Sequence, residues 1–154
     1  MSNNPKVWGP IYWRRLHKTT FRYPEHIDPN NQQHQLIKAR VRALFMSLKT
    51  TIPCKMCRDS YRGYLRQMPI DGYLGSREKL SYWLYKIHNK VNAKLRKMEH
   101  DQYNASLQKV EEYARIHRIS PAQLASIKST LKAQIMTTRA DPTFEYVKRM
   151  YRDM

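Results

Sequence analysis

The sequence has 154 residues, of which 41% are hydrophobic and 11% aromatic, and its formal net charge at neutral pH is +17. A chain of this length forms one domain, or one domain with an extension, and can bury a core without disulfide staples. No apolar run approaches the ~20 residues of a membrane span, and no apolar signal segment follows Met1. We therefore expect a protein that stays inside the cell.

Apolar residues recur at helical spacing along the chain, and the sequence contains only four glycines, which leaves little material for hairpins. The pattern predicts helices over residues 9–22, 33–50, 54–67, 77–97 and 101–117, another from residue 121, and a last short helix from residue 141. We predict an all-α fold in which residues 1–97 form a four-helix bundle. Residues 98–154 are predicted to form a helical C-terminal extension that packs on the bundle or dimerises it.

The positive charge is unevenly distributed. Residues 1–97 carry 20 Lys and Arg against 5 Asp and Glu, a net +15, whereas residues 98–154 carry 9 against 7, a net +2. Such a field attracts nucleic acid, phosphorylated cofactors or acidic partner proteins. The sign of the charge does not choose among these classes.

The only two cysteines, Cys54 and Cys57, have the C-x-x-C spacing and follow Pro53 at a predicted helix start. Exposed N–H groups at a helix start, together with Lys55 and Arg58, favour the thiolate form and so favour disulfide exchange. Half of a zinc site or two inert thiols are the alternatives that the spacing leaves open. The six histidines supply no paired spacing for a zinc site, so we predict no metal.

Two further motifs carry side chains that could contact a ring system. His88 and Asn92 lie along the edge of the predicted fourth helix, and Trp13 and His17 lie one turn apart on the first. Taken alone, the motif on the fourth helix is more often a solvated polar face, and the motif on the first helix is more often ordinary core packing. The sequence has no Gly-rich nucleotide loop, no paired carboxylates for hydrolysis and no serine nucleophile motif.

Three motifs taken in order closely resemble the Erv/ALR family of FAD-linked sulfhydryl oxidases, and in particular its small versions from large DNA viruses. They are W-G-x-x-x-W-x-x-x-H-x-x-x-x-x-Y-P at residues 8–24, P-C-x-x-C-x-x-x-Y at residues 53–61, and W-x-x-x-x-H-N-x-V-N-x-K-L at residues 83–95. The resemblance covers about residues 8–97 and implies a four-helix bundle that cradles FAD, usually as a homodimer. By the same resemblance, substrate thiolate attacks Cys54, Cys57 lies against the flavin, and electrons pass through FAD to O2 to give hydrogen peroxide.

The resemblance also implies which residues contact the cofactor. On the first helix they are Gly9, Trp13, His17 and Tyr23, and Cys57 is the flavin-side cysteine. On the fourth helix they are His88, Asn89, Val91, Asn92, Lys94, Leu95 and Lys97. The chain lacks the second cysteine pair that many relatives carry, which implies that a thioredoxin-like or small viral redox protein delivers its dithiol directly.

The resemblance predicts an FAD-dependent thiol oxidase that needs no membrane and no metal. If the chain is viral, the host cytoplasm, the site of virus assembly and the virion are the expected locations. A basic helical module that binds nucleic acid without enzymatic activity is the alternative that the charge motivates, and a zinc-stabilised scaffold is a second. The arginines at helical spacing 58, 62 and 66 are a hypothetical docking surface for the partner protein.

Overall fold

The computed structural model describes residues 4–153 and is built from α-helices. The helices are α1 (Pro5–Phe21), α2 (Gln32–Thr51), α3 (Lys55–Gln67), α4 (Arg77–Ile116), α5 (Pro121–Ile135) and α6 (Phe144–Arg152), with a 3-10 helix at Ile70–Tyr73. The described residues contain no strand beyond an isolated bridge between His26 and Ser76. The predicted all-α class is confirmed.

Helix α1 begins four residues before the predicted start at Gly9. The side chain of Asn4 accepts a hydrogen bond from the backbone N–H of Lys6, at 3.0 Å, and Pro5 occupies the first helical position. Asparagine before proline is a favourable helix start, because the side chain caps a free N–H and proline has no N–H to leave unpaired. The prediction weighted apolar periodicity and overlooked this cap.

Helix α4 is continuous through residues 98–100, where the sequence pattern predicted a break between two helices. That prediction is wrong, because Met98, Glu99 and His100 include neither glycine nor proline and nothing in their chemistry ends a helix. Glu99 is buried, and its carboxylate accepts hydrogen bonds from the Thr137 hydroxyl and from both the N–H and the hydroxyl of Thr138. These bonds hold residue 99 within the helix.

The chain divides into two compact units. The first contains the residues up to His88 together with those from Pro142 onward, and the second contains Asn89–Asp141. Residues 77–88 of α4 therefore belong to the first unit and residues 89–116 to the second. The predicted functional division after residue 97 stays a prediction.

The first unit is a bundle of α1, α2, α3 and the start of α4 around one core. All four helices contribute buried side chains to it, among them Leu16, Phe45, Leu48, Tyr61, Leu65, Leu80, Trp83, Leu84 and Ile87. The Trp83 indole N–H donates to the carbonyl of Met68 at 2.8 Å, and the Tyr61 hydroxyl donates to the carbonyl of Phe45 at 2.7 Å. These bonds satisfy the polar atoms of two aromatic side chains that the core buries.

Helix α6 belongs to the same unit and packs beside α1. The Tyr85 hydroxyl donates to the carbonyl of Pro142 at 2.7 Å, just before α6 begins, and the Phe144 ring packs against Tyr85 with centroids 5.3 Å apart. Lys148 pairs with Glu78 of α4 at 2.8 Å. The C-terminal segment is thus tied to the bundle at both aromatic and charged positions.

The second unit contains the rest of α4, helix α5 and the segment that follows it. Helix α5 starts at residue 121 as predicted, and Ser120 and Gln123 form a capping box there. Lys128 pairs with Glu111 at 2.7 Å, and Arg96 makes a two-pronged ion pair with Asp141 at 3.0 and 3.2 Å. These contacts hold α5 and the following segment against α4 within this unit.

Candidate active site

The two cysteines lie at the start of α3, as predicted, and a hydrogen bond from the backbone of one to the sulfur of the other links them. Cys54 is the N-cap residue, and the backbone N–H of Cys57 donates to its Sγ at 3.3 Å. Neither cysteine forms a disulfide within the described residues, and both are half-buried. The bond fixes Cys54 Sγ at the N-terminal end of α3, beside an N–H group of the first helical turn.

The two cations predicted to favour the thiolate form, Lys55 and Arg58, contact groups other than the sulfur atoms. The Lys55 ammonium pairs with Asp59 at 2.9 Å. The Arg58 guanidinium donates to the carbonyl of Ile52 at 2.6 Å and so braces the turn that leads into Cys54. The group that touches the Cys54 sulfur in this structure is therefore the helix-end N–H, while Arg58 fixes the backbone around it.

A second cluster joins α1 to α4 through aromatic rings. Trp13 of α1 stacks on His88 of α4, with centroids 3.8 Å apart and ring planes within 8° of parallel. Nε2 of His17 lies 3.0 Å from Nδ1 of His88, so the two rings share one hydrogen. Of the predicted cofactor residues, the structure thus brings together Trp13, His17 and His88.

His17 is buried, with 1% of its surface exposed, and its other ring nitrogen, Nδ1, has no hydrogen-bond partner among residues 4–153. Burial, together with the nearby His88, lowers the pKa of His17 from 6.5 to about 3. The imidazole is therefore neutral at physiological pH. A buried ring nitrogen without a partner is costly, and it is a group that a bound polar ligand could satisfy.

Tyr151 is a member of this cluster that the sequence analysis missed. Its ring stacks on His17, with centroids 4.7 Å apart and an interplanar angle of 19°, and also lies parallel to Phe21 at 6.2 Å. Burial raises the pKa of the Tyr151 hydroxyl. The available signal was the spacing of Val147 and Tyr151, which are one helical turn apart and share a face of α6.

Two predicted cofactor residues of the first unit have other surroundings. Tyr23 is buried, its hydroxyl donates to the carbonyl of Leu74 at 2.7 Å, and burial raises its pKa to about 12. A methyl group in place of the Gly9 hydrogen would meet only Trp13 Cδ1, at 4.0 Å, so the chain's own packing does not require glycine at this buried position. The cofactor roles of both residues stay predictions.

The remaining predicted cofactor residues lie on α4 within the second unit. All are half-buried except Lys97, which is exposed; they are Asn89, Val91, Asn92, Lys94, Leu95 and Lys97. Their cofactor roles stay predictions.

Residues 4–153 contain neither a metal-binding group nor a membrane-spanning helix. Within this range, no three or more His, Cys, Asp or Glu side chains are grouped so as to hold a metal ion. None of the helices described has a stretch both long and apolar enough to cross a membrane.

Comparison with known proteins places this site in a family. Residues 10–113, about two thirds of the chain, match the family model described as the Erv1 / Alr family. The match includes Trp13, His17, both cysteines and His88. Gly9 lies just before it.

Three relatives illustrate the similarity. A protein of Invertebrate iridescent virus 3 is 31% identical over 97 residues, which are 63% of this chain and 62% of its own length. The FAD-linked sulfhydryl oxidase ERV1 of Arabidopsis thaliana is 37% identical over 90 residues, 58% of this chain and 43% of that protein. The FAD-linked sulfhydryl oxidase of African swine fever virus is 31% identical over 91 residues, 58% of this chain and 69% of that protein. The chain thus covers less than two thirds of the first two relatives.

Proposed function

Because the chain belongs to the Erv1 / Alr family, we propose that it is an FAD-dependent sulfhydryl oxidase that introduces a disulfide bond into a partner protein, with O2 as electron acceptor. The observation that carries the proposal is the hydrogen bond from the Cys57 N–H to Cys54 Sγ at the start of α3. It supports the proposal because it holds the two sulfur-bearing residues together at a helix start, with a backbone N–H directed at the sulfur that exchanges with the partner.

The residues of the first unit fit a flavin. The partly exposed rings of Trp13 and His88 offer an aromatic surface, and the buried Nδ1 of His17 lacks a partner. The space beside Gly9 admits close approach of a ligand to the backbone of α1. We propose that FAD is held by the predicted set: Gly9, Trp13, His17, Tyr23, Cys57, His88, Asn89, Val91, Asn92, Lys94, Leu95 and Lys97.

The cysteines perform two exchanges in our proposal. A thiolate of the partner attacks Sγ of Cys54 in the Cys54–Cys57 disulfide; the S–S bond breaks and Cys57 leaves as a thiolate. The partner's second thiolate then attacks the partner's first sulfur, which is bound to Cys54 in the mixed disulfide. The bond to Cys54 breaks, and Cys54 leaves as a thiolate that accepts the hydrogen bond from the Cys57 N–H. The partner has lost two electrons and the cysteine pair has gained them.

FAD, when bound, supplies the two-electron chemistry that returns the cysteine pair to its disulfide and reduces O2 to hydrogen peroxide. The chain's own contribution is placement. Arg58 holds the turn before Cys54, and Trp13 and His88 hold each other parallel. His17 stays neutral and so adds no positive charge to the buried cluster.

A visible absorption spectrum and an oxygen electrode test this proposal together. We expect the purified protein to be yellow, with a flavin absorption band, and to consume O2 when dithiothreitol is added. A folded protein that is colourless, takes up no added FAD and consumes no O2 would contradict it.

We further propose that the protein is a homodimer and that it acts in the host cytoplasm at the site of virus assembly. The viral setting is supported by the similarity to proteins of Invertebrate iridescent virus 3 and African swine fever virus, and the homodimer rests on the resemblance given in the sequence analysis. Light scattering on the purified protein measures its mass, and the mass of a single chain would contradict the homodimer. Imaging of the tagged protein in infected cells measures its location, and an absence from assembly sites would contradict the proposed site of action.

A further inference from the structure

A groove of about 470 Å³ lies between α2 and α3, on the helix that carries the cysteine pair. Its lining combines three cations with apolar side chains and one threonine: Met46, Lys49, Thr50, Arg62, Leu65 and Arg66. We name this surface the basic groove. A groove of this composition suits a ligand that is anionic and also has apolar surface.

The charges of the basic groove are largely uncompensated. Arg62 pairs with Asp59 at 3.3 Å, but Asp59 is shared with Lys55, which lies closer at 2.9 Å. Lys49 and Arg66 form no ion pair within the described part of the chain. Of the three cations, only Arg62 thus has a carboxylate partner within the described residues, and it shares that partner with Lys55. Residues 1–97, which include the groove, carry a net +15.

The position of the groove relative to Cys54 follows from helix geometry. Cys54 caps α3, and Arg62 and Arg66 lie eight and twelve residues farther along the chain. At 1.5 Å per residue they lie ~12 and ~18 Å from Cys54 along the helix axis. One extended segment of about four to six residues spans that distance. A protein whose thiol reaches Cys54 can therefore place a nearby segment in the groove.

We propose that the basic groove binds an acidic segment of the thiol-bearing partner protein while that partner's thiol is oxidised at Cys54. This inference rests on the proposed function and adds the chemistry of the partner. Complementary charge raises the rate of encounter and fixes the orientation of the two proteins. The apolar Met46 and Leu65 receive the hydrophobic side chains between the acidic residues.

The test uses two synthetic peptides and two variants of the full-length protein. One peptide carries Cys-Ala-Ala-Cys, a five-residue spacer and four glutamates with two leucines; the other replaces the glutamates by glutamines. The groove variant is Lys49→Gln, Arg62→Gln and Arg66→Gln. The control variant removes three exposed cations elsewhere in the first unit: Arg40→Gln, Lys79→Gln and Arg149→Gln.

Fluorescence anisotropy with the labelled peptides measures binding independently of turnover. We expect the wild-type protein to bind the glutamate peptide about tenfold more tightly than the glutamine peptide at low salt, with the difference shrinking as salt is added. The groove variant is expected to lose most of this preference, and the control variant to keep it. Equal losses in both variants would overturn the proposal, because net charge alone would then explain binding.

Oxygen consumption separates this proposal from the proposed function. We expect the groove variant to lose about tenfold in kcat/KM for the glutamate peptide and less than twofold for dithiothreitol. Normal turnover of dithiothreitol with equal kcat/KM for both peptides overturns the groove proposal alone. No turnover of any thiol contradicts the proposed function, and anisotropy still decides the groove. A single-stranded oligonucleotide that binds through the three cations, where the glutamate peptide does not, overturns the choice of a protein partner.

Discussion

The cysteine pair and the histidine cluster belong to the same bundle, but they are built from contacts of very different range. The contacts around the cysteine pair join residues at most six positions apart in the sequence: the Cys57 N–H donates to Cys54 Sγ, and Arg58 donates to the carbonyl of Ile52. The histidine cluster joins His17 to His88, which are 71 residues apart, and to Tyr151 on α6. The first depends on one helix start, whereas the second depends on how α1, α4 and α6 pack.

The difference in range comes with a difference in environment. The two thiols are half-buried at the start of a helix, whereas His17 is buried among rings and kept neutral. Changes at the cysteines are therefore expected to alter chemistry with little effect on stability. Changes in the histidine cluster are expected to alter stability and ligand binding together.

The largest expected effect comes from Cys57→Ser, which removes chemistry and leaves the fold. We expect O2 consumption with dithiothreitol to fall by on the order of 1,000-fold, because the hydroxyl cannot form a disulfide. Flavin absorbance and the thermal midpoint are expected to stay close to wild type. Met56→Leu, at the exposed neighbouring position, is the control and is expected to keep its activity. A variant that loses flavin or unfolds would contradict the expectation that changes at the cysteine pair leave the rest of the bundle intact.

The pH dependence of stability tests the buried histidine. His17 has a pKa of about 3 in the folded state and 6.5 when unfolded, so between these values the unfolded chain binds a proton that the folded chain does not. This contribution to stability is fully present above pH 6.5 and is lost as pH falls toward 3, by about 4 kcal/mol at the lower end. Chemical denaturation at a series of pH values measures it.

His17→Phe keeps a ring at this position and removes the titration. Over the same pH window we expect its unfolding free energy to fall less steeply than that of the wild type, by up to ~1.4 kcal/mol per pH unit. His26→Gln, at an exposed histidine, is the control and should leave the slope unchanged. Parallel slopes for the wild type and His17→Phe would show that His17 is charged in the folded protein.

Tyr151→Ala is expected to have an intermediate effect, which alters the histidine cluster and leaves the cysteine pair unchanged. It removes the ring that stacks on His17 and Phe21, with an expected loss of about 1–3 kcal/mol in the free energy of unfolding and about tenfold in FAD affinity. The rate at which iodoacetamide alkylates the reduced cysteines is expected to stay within about twofold of wild type. Tyr146→Ala, at an exposed tyrosine of the same helix, is the matched control. A large change in the alkylation rate would mean that the histidine cluster and the cysteine pair are coupled.

Asp59→Asn is expected to have the smallest effect. It removes the exposed carboxylate shared by Lys55 and Arg62, and exposed ion pairs contribute little to stability. We expect no measurable change in the thermal midpoint and a rise of less than about threefold in the alkylation rate of the cysteines, since a negative charge near the thiols is lost. A decrease in that rate would show that the ion pairs position α3 for reaction.

The same difference in range explains what could be predicted from the sequence. The helix start near Cys54, the helix start at residue 121 and the helical stripes of the bundle are local patterns, and each is found in the structure. The contact between His17 and His88 depends on the rotation of two helices about their axes, which spacing within one helix does not determine. Tyr151 was missed for the same reason, because its neighbours come from α1.

The last helix begins at Phe144, three residues after the predicted start, because Thr143 is its N-cap. The two larger errors in helix bounds also have local causes. Apolar periodicity alone placed the start of α1 at Gly9, although Asn4 and Pro5 carry a helix-start pattern that the prediction did not use. The predicted break before residue 101 treated a weak apolar pattern as a turn, although residues 98–100 contain no turn residue. Their place in α4 is reinforced by Glu99, whose hydrogen-bond partners are some forty residues away and invisible to a local pattern.

The three hydrogen bonds accepted by Glu99 have a consequence for amide hydrogen exchange. Residues 136–143 have no regular secondary structure, and backbone N–H groups in such segments normally exchange with solvent deuterium quickly. The N–H of Thr138 donates to the buried carboxylate at 3.1 Å, so its exchange is slowed by a single side chain. The N–H groups of Met136 and Thr137 donate to the carbonyls of Lys132 and Ile135. Thr138 should therefore stand out as the protected amide among residues 138–143, and Glu99→Ala should bring its exchange rate to that of residues 139–143.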